Sequence, residues 1–340
     1  MLDIFGDCAK WDDYVQRHPA ATVYHLSAWG RAVSASMGHK CYYITIEDQG
    51  EICALVPLIH VSSMLFGKSL ISVAFATNGG PLFDNAAALE LLDAECRILS
   101  EKLDVDYLEC RNMDVVHQDW PRKKDMYSSF RKNLSADNDV NMKEIPRKQR
   151  AMVRKAIKFD LRAVVDPLPN RLFSMYSESV RNLGSPVFPK KLFYCLKQEY
   201  GENCEILTVE TPEGKPVSSV MTFYFRDEVV PYYGGGTKEA RGLAANDFMY
   251  WSLMAHAVSQ RGCRIFDFGR SKNDSGAFSF KKNWGFEPKA LHYEFLLKAG
   301  GELPDINPLN PKYQMMIKIW KKLPLPIANI VGPFISKSLG

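Results

Sequence analysis

Two stretches of strand length flank a polar, glycine-bearing turn between positions 42 and 61. The chain reads Tyr-Tyr-Ile-Thr-Ile, then Glu-Asp-Gln-Gly-Glu, then Ile-Cys-Ala-Leu-Val-Pro-Leu-Ile-His-Val, which predicts a hairpin. Residues 205–225 follow the same plan: Glu205 to Glu210, a turn from Thr211 to Pro216, and Val217 to Phe225. A glycine cluster follows each hairpin, Thr77-Asn78-Gly79-Gly80-Pro81 in one case and Tyr232-Tyr233-Gly234-Gly235-Gly236-Thr237 in the other. Each cluster leads into a stretch of helical periodicity. One runs over 86–103 with Leu89, Leu92, Cys96 and Leu99, the other over 245–261 with Phe248, Trp251, Leu253, Ala255 and Val258. Strands are predicted next, at 107–112 and 265–271. From Gly80 to Glu109 is 29 positions and from Gly236 to Asp267 is 31. The same elements in the same order at nearly the same spacing predict duplication of one α/β unit.

Between the halves the chain turns polar, from Pro121 to Asp160. Ser135 to Asp139 reads as loop. Pro146 to Lys158 reads as a helix with proline near its start, and Arg147, Arg150, Arg154 and Lys158 are spaced to share one face. Helices are also predicted over 170–183 and 190–200. The expected division is therefore a first domain at 1–145, a second at 146–300 that begins with the basic helix, and a tail at 301–340. In the tail, Lys312, Lys318, Lys321 and Lys322 alternate with Met315, Met316, Ile317, Ile319, Trp320 and Leu323. Pro324 and Pro326 should stop that helix, and an apolar segment from Ile327 to Ile335 follows. The tail fits either packing on the first domain or resting on an anionic membrane surface.

Composition narrows the function. A chain of 340 residues exceeds what one hydrophobic core usually organises. A formal net charge of +4 argues against a general nucleic-acid binder while leaving local basic patches open. The eight cysteines form no C-x-x-C pair, and the seven histidines show no metal spacing, so no metal is expected. The start, Met1-Leu2-Asp3-Ile4-Phe5-Gly6-Asp7, lacks the basic and apolar regions of a signal peptide, and no apolar run is long enough to span a bilayer. The expectation is a cytoplasmic protein.

The second half closes with Arg264-Ile265-Phe266-Asp267-Phe268-Gly269-Arg270-Ser271, then Phe280-Lys281-Lys282-Asn283-Trp284-Gly285. A strand ending in Asp-x-Gly followed by Phe-Lys-x-x-x-Gly resembles the closing pattern of the FemAB aminoacyltransferases and their acetyltransferase-like (GNAT) relatives. Arg147 to Lys158 resembles that family's basic helix between repeats, and Ser27-Ala28-Trp29 its first-domain opening. The glycine cluster, Asn246-Asp247 and Asp-Phe-Gly-Arg-Ser look most like the FemAB-related subgroup associated with exosortase (PEP-CTERM) and exopolysaccharide systems. The resemblance covers most of residues 20–295. It implies two tandem GNAT-like α/β domains with mixed sheets flanked by helices. It also implies transfer of an acyl or aminoacyl group to an amine of a cell-envelope peptide or saccharide precursor, since characterised members take an amino acid from aminoacyl-tRNA.

Such chemistry needs aligned reactants, a proton acceptor and positive charge for the developing oxyanion. The chain offers no Ser-His-Asp or Cys-His string in recognisable context, which suits direct transfer. Lys281 is the first catalytic candidate, with Asp267 beside it at a strand end. Candidate binding residues are Lys282, Arg270, Gly234, Gly235, Gly236, Arg150 and Arg154, with Glu109 and Arg111 at the matching place in the first half. Gly242 and Ala244 match part of the GNAT pyrophosphate loop, but Glu239 stands where glutamine or arginine is expected. A carboxylate there repels pyrophosphate and weighs against coenzyme A, so aminoacyl-tRNA and acyl-CoA both stay open as donors, with no tightly held cofactor expected. A non-enzymatic repeat serving as a scaffold in envelope assembly is the remaining alternative.

Overall fold

The computed structural model describes residues 2–63, 67–123, 125–304 and 311–340, the last segment with side chains from 314 onward; the side chain of Lys312 lies outside the described residues. Its elements are, in chain order, α1 (Ala9–Arg17), α2 (Ser27–Met37), β1 (Lys40–Asp48), β2 (Glu51–Ser63), β3 (Gly67–Ser72), β4 (Leu82–Phe83), α3 (Ala86–Leu103), β5 (Tyr107–Asn112), β6 (Arg122–Lys123), β7 (Tyr127–Asn133), α4 (Asn138–Glu144), α5 (Arg147–Ile157) and β8 (Arg162–Asp166). There follow α6 (Asn170–Leu183), α7 (Lys190–Tyr200), β9 (Cys204–Glu210), β10 (Pro216–Phe225), β11 (Glu228–Gly236), α8 (Ala245–Arg261), β12 (Ile265–Lys272), α9 (Gly276–Asn283), β13 (Pro288–Ala290), β14 (His292–Leu297), α10 (Pro311–Trp320) and α11 (Leu325–Ser336).

Packing divides the chain into two units, 1–126 with 290–307 and 334–340, and 127–289 with 308–333. In the first, the strand order is β1-β2-β3-β5-β14-β6, with β4 paired to β2. The β3–β5 pair is parallel and runs from Ser69↔Tyr107 to Ile71↔Glu109. The apolar stripe of α3, including Leu92, Cys96 and Leu99, packs with Ile44, Val56, Leu70 and Leu108. Asn85 starts that helix by accepting the Ala88 N–H at 3.0 Å.

In the second unit the order is β13-β7-β12-β11-β10-β9-β8. Again an antiparallel meander, here β9-β10-β11, leads through a helix, α8, to a parallel partner, β12. The core joins Met249, Leu253 and Ala257 of α8 to Val217, Val220, Phe266 and Phe268 of the sheet. The α/β class and the duplicated unit expected from the pattern are both present.

The packing division departs from boundaries drawn at 145/146 and 300/301. Strand β7 hydrogen-bonds to β12, with Ile265 opposite Asn133, and so belongs to the second sheet. Strand β14 pairs with β5, with His292 opposite Asn112, and so belongs to the first. The tail is also more regular than expected. Pro324 and Pro326 sit at the start of a second helix, α11, where proline's missing N–H costs little. Of the described tail residues, 311–333 belong with the second unit and 334–340 with the first.

Candidate active site

The β11–β12 pairing spans Glu228↔Ile265 and Val229↔Phe266, after which the strands part. Beyond that point β11 follows β10, reaching Gly236 opposite Ser218, while β12 follows β7. The register between β12 and β7 shifts between Asp267 and Arg270, which makes a bulge at Phe268-Gly269. Gly269 takes φ +66, a backbone state that a side chain disfavours. Asp267 Oδ1 accepts the Gly269 N–H at 2.7 Å, the local side-chain-to-backbone bond that stabilises such turns. This is the physical content of Asp-x-Gly: the pair builds a kinked strand end at the fork of the sheet.

Phe-Lys-x-x-x-Gly has an equally local explanation. Ser275 caps α9 by accepting the Phe278 N–H at 3.2 Å. The helix ends in a Schellman motif, with Phe286 N–H to Lys281 O at 3.3 Å and Gly285 N–H to Lys282 O at 2.9 Å. Gly285 has φ +81, as that motif requires. Phe280 and Trp284 pack edge-on around Phe268, with ring centroids at 6.2 and 6.3 Å, and so hold α9 against β12. Lys281 therefore lies on a helix rather than at a strand entrance, and its ammonium is directed back at the bulge. Its Nζ donates to the carbonyls of Gly269 at 3.0 Å and Arg270 at 2.9 Å, beside the rings of Phe130 and Phe268.

The electrostatics follow from that enclosure. Loss of water lowers the Lys281 pKa to about 7, with Asp267 opposing the shift and Arg270 adding to it. Burial likewise raises the Asp267 carboxyl above its ordinary value, against the Gly269 hydrogen bond and the charges of Arg131 and Lys281. Lys281, Asp267 and Arg270 are thus brought together. Arg270 also lies over the Tyr127 ring at 4.6 Å. Lys282 is exposed, over Phe278.

Residues 141–282 match the acetyltransferase (GNAT) domain family. No curated protein sequence matches the chain. Among solved structures the chain is similar to FemX, with a TM-score of 0.68 at 14% identity over 92% of this chain and 98% of that one. It is also similar to L-PGS from Bacillus licheniformis (TM-score 0.58, 13% identity, 93% and 96% covered). A third similar structure is a tandem GNAT protein from the clavulanic acid biosynthesis pathway (TM-score 0.52, 12% identity, 84% and 93% covered). The fold is thus two tandem GNAT-like domains of mixed sheet and flanking helices.

In the second GNAT-like unit the glycine triplet is extended strand rather than a turn. A Cβ on Gly235 would lie 2.8 Å from the Met175 carbonyl oxygen and 2.9 Å from Tyr176 Cα, so the triplet lets α6 approach the sheet. A Cβ on Gly236 would meet Ala240 and Asn246 on the other face. Four N–H groups in the segment leading to α8 already have acceptors. Lys238 N–H donates to the Glu178 carboxylate at 3.0 Å, Ala240 to Thr237 O, Gly242 to Glu239 O and Ala244 to Arg241 O. Glu239 pairs with Lys215. Two carboxylates thus border the segment where a pyrophosphate would need donors.

On α5, Gln149, Val153 and Ala156 face inward, while Arg147, Arg150, Arg154, Lys155 and Lys158 line a shallow basic groove. Gln149 and Trp284 both donate to buried Asp247, which ties α5 and the end of α9 to α8.

In the first unit Glu109 and Arg111 are buried and paired, with Nε to Oε1 at 2.7 Å, and Arg111 also donates to Ala76 O at 2.8 Å. Near them is a group that motif reading passed over. Glu294 is fully buried and accepts from Asn112 Nδ2 at 2.8 Å and from the backbone of Val116 and His117 at 2.9 Å. His117 bridges Glu294 at 2.7 Å and Asp93 at 3.1 Å while stacked on Trp120. Burial opposes its charge, but the two carboxylates outweigh burial and raise its pKa to about 9. Residue type alone carried no signal here, because the partners lie 24 and 177 positions away. Among the described residues no cluster of His, Cys, Asp or Glu could hold a metal ion, and no helix is long and apolar enough to cross a membrane.

Proposed function

We propose that this chain is an acyltransferase of the aminoacyl type, which passes an acyl group directly to an amine on a cell-envelope peptide or saccharide precursor. The observation that carries this reading is the Lys281 ammonium, fixed at the fork of the second sheet beside Asp267. In the proposed step the acceptor nitrogen attacks the donor's ester carbonyl, a C–N bond forms and the C–O bond breaks. The proton lost by the amine ends on the leaving hydroxyl. Lys281 offers N–H to the oxyanion or to the departing oxygen. Asp267, raised by burial, holds the lysine's charge, and we assign it the proton of the incoming amine. Alignment of the reactants supplies the larger part, roughly 7–11 kcal/mol in favourable cases.

Aminoacyl-tRNA fits the donor side better than acyl-CoA. The N–H groups of Lys238, Ala240, Gly242 and Ala244 are already used, and the carboxylates of Glu178 and Glu239 stand beside them, which disfavours pyrophosphate. The basic face of α5, with Arg150 and Arg154, suits a polyanion. Such a donor would place the reaction in the cytoplasm. The FemAB-like motifs associated with exopolysaccharide systems support an envelope acceptor.

The test is binding of purified protein to charged tRNA, uncharged tRNA and acetyl-CoA, with Lys281→Ala in parallel. Selective binding of charged tRNA that weakens in the variant supports the reading. Binding of acetyl-CoA alone overturns it in favour of an acyl-CoA enzyme. Loss of no activity in Lys281→Ala, once a substrate is found, would favour a scaffold role for this site.

A further inference from the structure

The last two helices both leave large apolar groups uncovered, and α11 is built inside out. On α11 the side turned to the protein carries small residues: Ala328 and Gly332 are buried, and a Cβ on Gly332 would lie 2.9 Å from the Val187 backbone nitrogen. The opposite side carries Ile327, Ile330, Val331 and Phe334, spaced to form one stripe, with Ile330 and Phe334 exposed at 68% and 67%. Helix α10 packs through large residues but leaves others uncovered. Its inner side is held by Ile317 against Gly184 and by Trp320 Nε1 to Ser185 O at 3.1 Å. Met315 and Ile319 are exposed on the side away from that contact, and Met316 is exposed at its flank. A helix that only packed on its domain would bury its large side chains and expose its small ones. Both helices are anchored to residues 184–187; α11 points its large apolar groups away, and α10 exposes Met315, Met316 and Ile319 besides those it packs.

The charge on this segment selects what covers it. Residues 311–340 contain five lysines, at 312, 318, 321, 322 and 337, and no aspartate or glutamate. On α10 the helical spacing puts Lys318 beside the Met315–Ile319 stripe, Lys322 follows in the turn that closes the helix, and Lys337 lies over the Phe334 ring at 5.7 Å. An apolar stripe on a segment whose charged side chains are all cationic matches the boundary between acyl chains and anionic headgroups. A second copy of the chain meeting this face across a two-fold axis would bring its lysines against these, which like-charge repulsion opposes.

We infer that α10 and α11 form a peripheral docking face for an anionic lipid surface, with the stripe entering the headgroup boundary and the lysines on phosphates. The test is flotation of the full chain with vesicles of phosphatidylcholine alone and of phosphatidylcholine mixed with phosphatidylglycerol. The expected result is flotation with the anionic vesicles, lost at high salt. Ile330→Ser with Phe334→Ser, or Met315→Ser with Ile319→Ser, should weaken it by roughly tenfold or more, as should Lys318→Gln with Lys322→Gln. These positions are exposed, and an unchanged circular dichroism spectrum and melting temperature verify folding. The inference is overturned if the parent protein does not float with anionic vesicles at low salt. It is equally overturned if all three double variants float as well as the parent, or if sedimentation shows a dimer that the apolar substitutions dissociate.

Discussion

Because Lys281 is dehydrated at the fork, its amine should react as a neutral nucleophile near pH 7. An ordinary lysine, with a pKa near 10.4, is neutral in about one molecule in 2,500 at pH 7, whereas a group titrating at about 7 is neutral in about half. The neutral fraction thus differs by roughly a thousandfold, although enclosure slows access of any reagent. The assay is competitive labelling of all lysines with trace acetic anhydride across pH 5 to 11, read by peptide mass spectrometry. Lys281 should show an inflection near 7, and its exposed neighbour Lys282 provides an internal comparison on the same peptide. The perturbation is Asp267→Asn. Asp267 is the group that holds the Lys281 pKa up, so removing its charge should move the inflection to lower pH. An inflection in the ordinary lysine range near 10, or no movement in Asp267→Asn, would refute the placement of both groups in one dehydrated site.

Three further outcomes follow from the same structure. His117 has a folded pKa above the ordinary 6.5, so its protonated form stabilises the fold fully below about pH 6.5, and that contribution is lost as pH rises through about 9; the difference in urea stability between the parent and His117→Gln should shrink by about 3 kcal/mol across that window, and a pH-independent difference would contradict the carboxylate bridge. Arg111→Met leaves Glu109 buried without its partner and should cost about 3–5 kcal/mol in chemical denaturation, whereas the paired change with Glu109→Leu should recover much of it. Gly285→Ala forces a side chain into φ +81 and to 3.2 Å from Pro146; a loss of about 1 kcal/mol or more is expected, together with a shifted Lys281 labelling profile, and an unchanged melting temperature would argue against the Schellman ending of α9.

Local pattern carried far in this chain. The helices at 86–103, 170–183, 190–200 and 245–261 agree with their apolar spacing, and both hairpins form where the turn residues place them. Asp-x-Gly and Phe-Lys-x-x-x-Gly were legible because each is a short-range device: a carboxylate bonding two residues on, and a glycine closing a helix at positive φ. The glycine triplet was legible as a place of close approach, but glycine does not name the visitor. The visitor at Gly235 is α6, whose residues lie some sixty positions earlier in the chain. The boundary at 145 missed β7 for a related reason: a strand's own residues do not say which distant edge it joins.

What the sequence determined by itself, then, was the repeated α/β unit, the basic α5 face and the two residue strings that make the kink and the helix end. These rest on interactions spanning a few residues, which side-chain type and spacing specify directly. Tertiary structure alone decided that the Lys281 ammonium reaches back across eleven and twelve positions to the Arg270 and Gly269 carbonyls, that Glu294 closes over His117, and that the apolar stripe of α11 faces away from the protein. The first two depend on desolvation, which is set by the elements that the whole fold brings around a group, and the third on which face of α11 Val187 covers.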